Sequence, residues 1–531
     1  VIGEDNIEVQ RVAVAQVDSG GPNATEVTPR NLHVFEFDWR PDSRGLAYIA
    51  AEPPGENNWW VAQLYTRDID RPTDATGRAC PTNGECYKLK SILNPQTVAG
   101  PLHGLQIAVP RWSPDGKTIA VIGGLMSDQG STGGDIYLVP VDGGEPQQLQ
   151  FATQSAAWFR WLDDRSLMVS AVRGGGSSVL RVSFKKNSVG SYDVAMQQYF
   201  GGGENGGGYT IDAGPVYRSL STSPDGTHAA FVQSSFSDAP EVWAGCVSMV
   251  PIGGCPPPRA ITHLNDRLKP VWGKTENVEW TDEGFKVQGW LLYPADYDPS
   301  KTYPLIVEVH GGPGATTTPR WPGLQYGGVP FSALGYFVFF PNPRGSFGQG
   351  EKFTQANVKD FGYGDMRDIL AGMDVLEKRF PIDKEREGLT GWSYGGFMTM
   401  FAVTQTTRFK AAVAGAGISD WKSYYGENSI DQWMIPFFGA SVYDDPAVYA
   451  KSSAINYIKD AKTPTLIVVG DRDGECPAPQ SFEFWHALRA VGVKTELVVY
   501  PNEGHQFRDP AHQRDVLARA LELFETEMPE K

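Results

Sequence analysis

Basic residues, histidines, cysteines and long apolar runs are all scarce in this chain. Among 531 residues, 46 Lys and Arg stand against 62 Asp and Glu, a formal net charge of −16. So acidic a chain repels phosphates overall, which argues against nucleic acid and anionic membranes as partners. No uninterrupted apolar run approaches the roughly 18 residues of a membrane span. No secretory leader is visible at Val1, and a first residue other than Met leads us to expect that something upstream was removed. Only 8 histidines are present, so the search for a general base or a metal ligand is short.

The five cysteines are informative by position. Cys80 and Cys86 sit close together, as do Cys246 and Cys255, each pair in a Pro/Gly-rich loop. The spacings are not the C-x-x-C of zinc sites and no histidine is adjacent. We expect two local disulfides, and hence a periplasmic or secreted protein; the alternative is two pairs of thiols in the cytoplasm. Cys476 is the odd one and reads as a small buried apolar residue. Asn23-Ala24-Thr25 matches a glycosylation sequon, a pattern short enough to arise by chance.

Apolar residues make up 41% of the chain, which supports packed cores over disorder. The length exceeds one ordinary core, so two domains are expected. The first half is repetitive. Trp39-Arg40-Pro41-Asp42 precedes Leu46 to Ala50, and Trp112-Ser113-Pro114-Asp115-Gly116 precedes Thr118 to Ile122. Trp161-Leu162-Asp163-Asp164 precedes Ser166 to Val169, and Thr222-Ser223-Pro224-Asp225-Gly226 precedes His228 to Val232. A Pro/Asp turn followed by a short β-rich strand, repeated every several tens of residues, predicts β-propeller blades, of which four or five can be counted. A plain β-sandwich is the alternative. The Gly-rich stretch 201–208 has no Lys-Ser/Thr ending and no following helix, so it reads as a flexible connection rather than a phosphate loop.

The character changes after Pro270. Apolar strands are predicted over Lys286 to Tyr293, Leu305 to Val309, Gly335 to Phe340, Thr465 to Val469 and Glu496 to Tyr500. Helical patterns lie between and after them at Asp365 to Glu377, Ser481 to Ala490 and Gln513 to Glu527. Strands alternating with helices mean a mostly parallel α/β sheet. The expected division is residues 1–275 for the propeller and 276–531 for the α/β domain.

The most specific stretch is Gly391-Trp392-Ser393-Tyr394-Gly395-Gly396, a G-x-S-x-G pattern between a strand ending and an apolar helix former. A serine on so sharp a strand-to-helix turn projects its hydroxyl, and glycines flank it because side chains would clash. A serine hydroxyl needs a base, and the base an orienting acid. His505, in Asn502-Glu503-Gly504-His505-Gln506 after the last strand, is the candidate base. His486 falls inside a helical pattern, His512 leads into the last helix, and His310 precedes the elbow. The loop Asp471-Arg472-Asp473-Gly474-Glu475 follows strand Thr465 to Val469. Asp473 is the favoured acid, with Asp471 and Glu475 as alternatives. The oxyanion donors are expected to be the N–H of Tyr394 and one from His310-Gly311-Gly312-Pro313-Gly314, with Gly312 favoured and Gly311 the alternative. These assignments leave no metal constellation, and no cofactor is called for.

Together these blocks, with Asn342-Pro343-Arg344-Gly345-Ser346, resemble the prolyl oligopeptidase family of serine peptidases, most of all its acylaminoacyl peptidases and bacterial dipeptidyl aminopeptidases. The likeness is close over about residues 277 to 531 and architectural before that. It implies an α/β-hydrolase domain capped by a propeller that admits short peptides, and Ser393, Asp473 and His505 as the triad. It also implies a substrate pocket with aromatic walls at Trp421, Tyr424 and Tyr425. The family's propeller has seven blades and an N-terminal helix, whereas this chain opens on a strand-like segment and is short. No Glu-Glu dipeptide occurs, so the ammonium-binding pair of proline-specific dipeptidyl peptidases is missing. The expected function is a serine exopeptidase acting on short peptides, with a homo-oligomer left open. The alternatives are an acylaminoacyl peptidase or esterase, and an interaction protein with an inactive hydrolase domain.

Overall fold

The computed structural model describes residues 9–15, 24–52, 56–69, 90–128, 131–151, 153–188, 191–201, 208–212, 220–247, 256–323 and 325–529. Asn23, Cys80, Cys86, Cys255 and residues 202–207 of the Gly-rich stretch lie outside these. Cys246 is disulfide-bonded, and Cys476 is a free buried thiol.

After a two-stranded sheet of Ala13–Ala15 and Ala24–Glu26, the described residues up to 260 build four larger antiparallel sheets in succession. The first comprises His33–Trp39, Gly45–Ala51, Gln63–Asp68 and Lys90–Leu93. The second is Gln106–Trp112, Thr118–Gly124, Asp135–Pro140 and Gln147–Leu149, and the third runs from Ser155–Asp163 through Ser166–Arg173 and Gly176–Lys186 to Tyr192–Gly201. The fourth centres on His228–Ser234, paired to Glu241–Cys246. Each Pro/Asp signature forms a hairpin turn in its own sheet. The aspartate oxygen caps the turn: Asp42, Asp115, Asp163 and Asp225 each accept from the backbone N–H two residues on, at 2.9, 3.0, 2.8 and 3.0 Å. Such Asx turns explain why aspartate recurs there. Successive sheets are also tied together. Trp112 N donates to Asp38 at 2.9 Å, Trp161 Nε1 to the Arg111 carbonyl at 3.0 Å, and Arg160 to the Ser223 carbonyl at 3.1 Å.

From Thr275 onward the chain forms one eight-stranded sheet: β1 (Thr275–Asp282), β2 (Phe285–Leu292), β3 (Tyr303–Val309), β4 (Phe337–Asn342), β5 (Ile382–Trp392), β6 (Ala411–Gly415), β7 (Thr465–Gly470) and β8 (Thr495–Tyr500). Its order is β1-β2-β4-β3-β5-β6-β7-β8. The first two pairings are antiparallel, and β4, β3, β5, β6, β7 and β8 run parallel. Strands β4, β6 and β7 are buried along their whole length, as a sheet covered on both faces requires. The cover includes α1 (Gly364–Arg379), α2 (Tyr394–Gln405), α3 (Ala478–Ala490) and α4 (Pro510–Glu527). Helix α2 is buried from Tyr394 to Thr404, which fits its lack of a polar face. The two parts of the chain touch directly: Ser131 Oγ donates to the Gly314 carbonyl at 2.5 Å, Gly348 N to Ser155 Oγ at 3.1 Å, and Trp290 Nε1 to the Gly175 carbonyl at 3.0 Å.

Candidate active site

The carboxyl ends of β3, β5, β7 and β8 open onto one crevice, where a parallel sheet places its ligands. Ser393 sits between β5 and α2 with φ 61° and ψ −121°. The neighbouring glycines are forced by close backbone approach. A Cβ on Gly391 would lie 2.4 Å from the Gly395 carbonyl oxygen, and one on Gly395 only 2.0 Å from that of Val309. The turn is therefore too tight for any side chain at either position.

The loop after β7 carries Asp473, which is 6% exposed. Its Oδ1 accepts from the backbone N–H groups of Glu475 and Cys476 at 3.0 and 2.7 Å. Its Oδ2 lies 2.9 Å from His505 Nδ1. With one oxygen held by its own loop, the other has a fixed aim. Burial favours the neutral imidazole, but the hydrogen bond and charge of Asp473, reinforced by Glu475, hold His505 above the usual histidine range. Asp471 instead caps the β8 loop, accepting from Asn502 N at 2.7 Å. The other ring nitrogen of His505, Nε2, is 3.6 Å from Glu475 Oε2. The Ser393 hydroxyl is 3.9 Å from Cys476 Sγ and makes no hydrogen bond to His505 in this arrangement. Burial, then the charges of Asp473 and Glu475, push the Cys476 thiol well above its ordinary range, so it stays protonated.

Tyr394 opens α2, where a backbone N–H has no acceptor within the helix. Its buried hydroxyl donates to Asp365 on α1, whose carboxyl burial pushes up to about 7. Gly311 and Gly312 follow β3 and line the same cavity as Ser393. Gly311 is the nearer: a Cβ there would stand 3.3 Å from Ser393 Cβ. His310 braces this turn, with Nδ1 2.6 Å from the Gly311 carbonyl and Nε2 2.8 Å from Ser346 Oγ.

A cavity of about 700 Å³ joins these groups. Ser393, Tyr394, His505, Trp421 and Tyr424 line it. Tyr425 does not belong to that wall: its ring packs edge-on against Tyr443 and Tyr449, 5.7 and 5.8 Å between centroids. Trp433 and Ile430 complete the apolar side. Residues of the first part close the opposite side, namely Trp59, Trp60, Met126, Asp128 and Ser131. No motif in the sequence pointed to these. Trp59 and Trp60 fall outside the turn-and-strand cadence, in the short helical segment Glu56–Val61, and a tandem tryptophan there is the one signal that could have flagged them. No cluster of three or more His, Cys, Asp or Glu arranged to hold a metal occurs among the described residues.

A strand-to-helix serine elbow on a mostly parallel sheet, with a His–Asp pair on the loops of the following strands, defines an α/β-hydrolase. Residues 326–530 match the model of the prolyl oligopeptidase family. It is 34% identical over 366 residues, 65% of this chain, to the uncharacterized peptidase YuxL of Bacillus subtilis, of which it covers 52%. It is 31% identical over 251 residues, 46% of this chain, to dipeptidyl-peptidase 5 of Porphyromonas gingivalis, of which it covers 36%. The chain thus spans about half or less of the length of these relatives. Among solved structures it is similar in fold to a puromycin-hydrolyzing peptidase of Mycobacterium tuberculosis, with a TM-score of 0.69 and 20% identity over 95% of this chain and 72% of that one.

Proposed function

We propose that this chain is a serine exopeptidase that hydrolyses short peptides near their N-terminus. The observation that carries the reading is the His505–Asp473 contact of 2.9 Å in the cavity that Ser393 also lines. Asp473 fixes the tautomer with its proton on Nδ1, leaving Nε2 to take the proton of Ser393 once the two are brought together. The alkoxide oxygen attacks the scissile carbonyl carbon. The resulting oxyanion is met by the N–H of Tyr394 and one from the Gly311-Gly312 turn. His505 then returns the proton to the leaving amine, and water repeats the sequence on the acyl-enzyme.

The four antiparallel sheets are read as propeller blades in a domain of residues 1–275, over a catalytic domain of residues 276–531. Trp59, Trp60 and Met126 reach from the first into the cavity, so the first domain limits substrate size. A cavity of about 700 Å³ suits a few residues of extended peptide. Asp128 and Glu475 line it without a Lys or Arg among the described residues, which favours a free N-terminal ammonium over a blocked one. The disulfide at Cys246 supports a periplasmic or secreted location.

Incubation with a mixed library of short peptides, free and N-blocked, followed by mass spectrometry, tests the reading. Dipeptides released from free N-termini are expected. Release of blocked residues alone would favour acylaminoacyl peptidase activity, turnover of esters alone an esterase. Cleavage of long unfolded chains at internal bonds would overturn the size limit.

A further inference from the structure

Two carboxylates face His505, one at each ring nitrogen. Asp473 lies 2.9 Å from Nδ1 and Glu475 lies 3.6 Å from Nε2. The proposed triad uses only the first. A neutral imidazole has a single N–H, and with Nδ1–H committed to Asp473, Nε2 presents a lone pair that a carboxylate oxygen repels. Only the imidazolium can donate on both sides. In the same arrangement the Ser393 hydroxyl is near Cys476 and not on Nε2. The nitrogen that must receive the serine proton is turned to an acid instead.

We propose that Glu475 is a positioning residue that draws Nε2 of His505 away from Ser393 and restrains the triad until its carboxylate swings aside. The inference rests on the peptidase reading above for the roles of Ser393 and His505. Glu475 is built for such movement. Its backbone is pinned, since its N–H donates to Asp473 at 3.0 Å, while its side chain is 53% exposed, enough to swing out towards solvent. The other charged or titratable groups at the cavity are Asp128, Asp473 at Nδ1, the Cys476 thiol and the phenols of Tyr394 and Tyr424, and burial pushes the thiol and both phenols well up, so that they stay neutral. None is a cation that would compete for Glu475. The charge of Glu475 also acts with Asp473 to hold the ring protonated to higher pH. The restraint is therefore strongest in mildly acidic solution and fades as the imidazolium loses its proton.

The test is the rate at which a neutral alkyl fluorophosphonate labels Ser393, measured from pH 5 to 9 on the full chain. In this reaction the serine oxygen bonds to phosphorus, fluoride leaves, and His505 takes the hydroxyl proton, with no peptide involved. Glu475→Gln is expected to move the acid midpoint of the profile down by about one pH unit. At pH 6 the variant would then label several-fold faster than the wild type, and at pH 9 the two would converge. Glu475→Ala should move the midpoint the same way. A midpoint that stays or rises, or a uniform loss at every pH, would overturn the restraint while leaving the triad standing. If Ser393 is labelled in neither protein, and both melt cooperatively, the triad reading itself fails and the proposal falls with it.

Discussion

Trp392, the residue before the elbow serine, donates from its indole Nε1 to the backbone carbonyl of His505 at 2.9 Å. The contact spans β5 and the loop after β8, so the turn that aims the nucleophile also holds the loop that carries the base. The indole ring stands perpendicular to Phe507, 5.1 Å between centroids, which steadies the same loop from its other side. Trp392→Phe keeps the ring and removes the donor. The expected loss of stability is about 1 kcal/mol, the value of one hydrogen bond. The expected loss in kcat is ~10- to 100-fold, because a small displacement of the base is costly. A lowered melting temperature with an unchanged kcat would show that this contact is structural only.

Removal of the nucleophile gives a simpler expectation. Ser393→Ala should abolish turnover and leave thermal unfolding as it is, since the side chain makes no hydrogen bond shorter than its 3.9 Å approach to Cys476. Asp473→Asn is the more informative change. The amide oxygen can still accept from Glu475 and Cys476, while the amide nitrogen facing His505 favours the wrong tautomer. A fall in kcat of roughly 10³- to 10⁴-fold is expected. A fall of less than about ten-fold in a folded variant would move the orienting role to another acid.

Much of this site was legible in the chain because each part is a local backbone demand. Gly391 and Gly395 are dictated by clashes across a single turn, and the aspartates of the four hairpins by capping two residues away. Strand β6, Ala411–Gly415, was not legible: Ala-Ala-Val-Ala-Gly has neither alternation nor bulk, and only its place between β5 and β7 makes it a strand. Strand β1, Thr275–Asp282, was missed as well, because only Val278 and Trp280 in it are apolar and buried, too few to stand out at a sheet edge. The wall from the first part of the chain could not be read either. Trp59 and Met126 reach the cavity through tertiary contacts such as the 3.0 Å bond from Trp59 Nε1 to the Ser127 carbonyl, which no spacing encodes.

The aromatic wall takes in Trp433 and leaves out Tyr425, which the family resemblance had placed in it. Trp433 lines the cavity and packs against Trp421, 5.8 Å between centroids. Tyr425 faces Tyr443 and Tyr449. Trp433→Leu should reduce the preference for bulky over small apolar side chains beside the scissile bond, by up to about ten-fold in kcat/KM. Tyr425→Phe should leave that preference unchanged. Competition between two peptides differing only in that side chain measures both, and an effect at Tyr425 equal to that at Trp433 would contradict the assignment of the wall.

Glu351 supplies a prediction about stability far from the catalytic chemistry. Its Oε1 accepts from Leu125 N at 2.8 Å and from Gln355 at 2.9 Å, tying the second antiparallel sheet to the α/β part. Its Oε2 is buried without a partner. Burial pushes its carboxyl up to about 8 from an ordinary 4.5, with the charge of Asp135 adding to the effect. The folded protein therefore holds this proton where the unfolded chain has lost it. Stability from the group is fully present below about pH 4.5 and is lost as pH rises through about 8. Glu351→Gln keeps the acceptor for Leu125 and has no charge to bury. Its melting temperature should rise relative to the wild type as pH goes from 5 to 8.5. Buried carboxyls such as Asp365, Glu308 and Glu387, each raised to about 7, follow the same sign in both proteins and cancel in the difference. Thermal unfolding of the pair across that range is the measurement, and a gap that stays constant or narrows would mean that Glu351 is not the group that titrates.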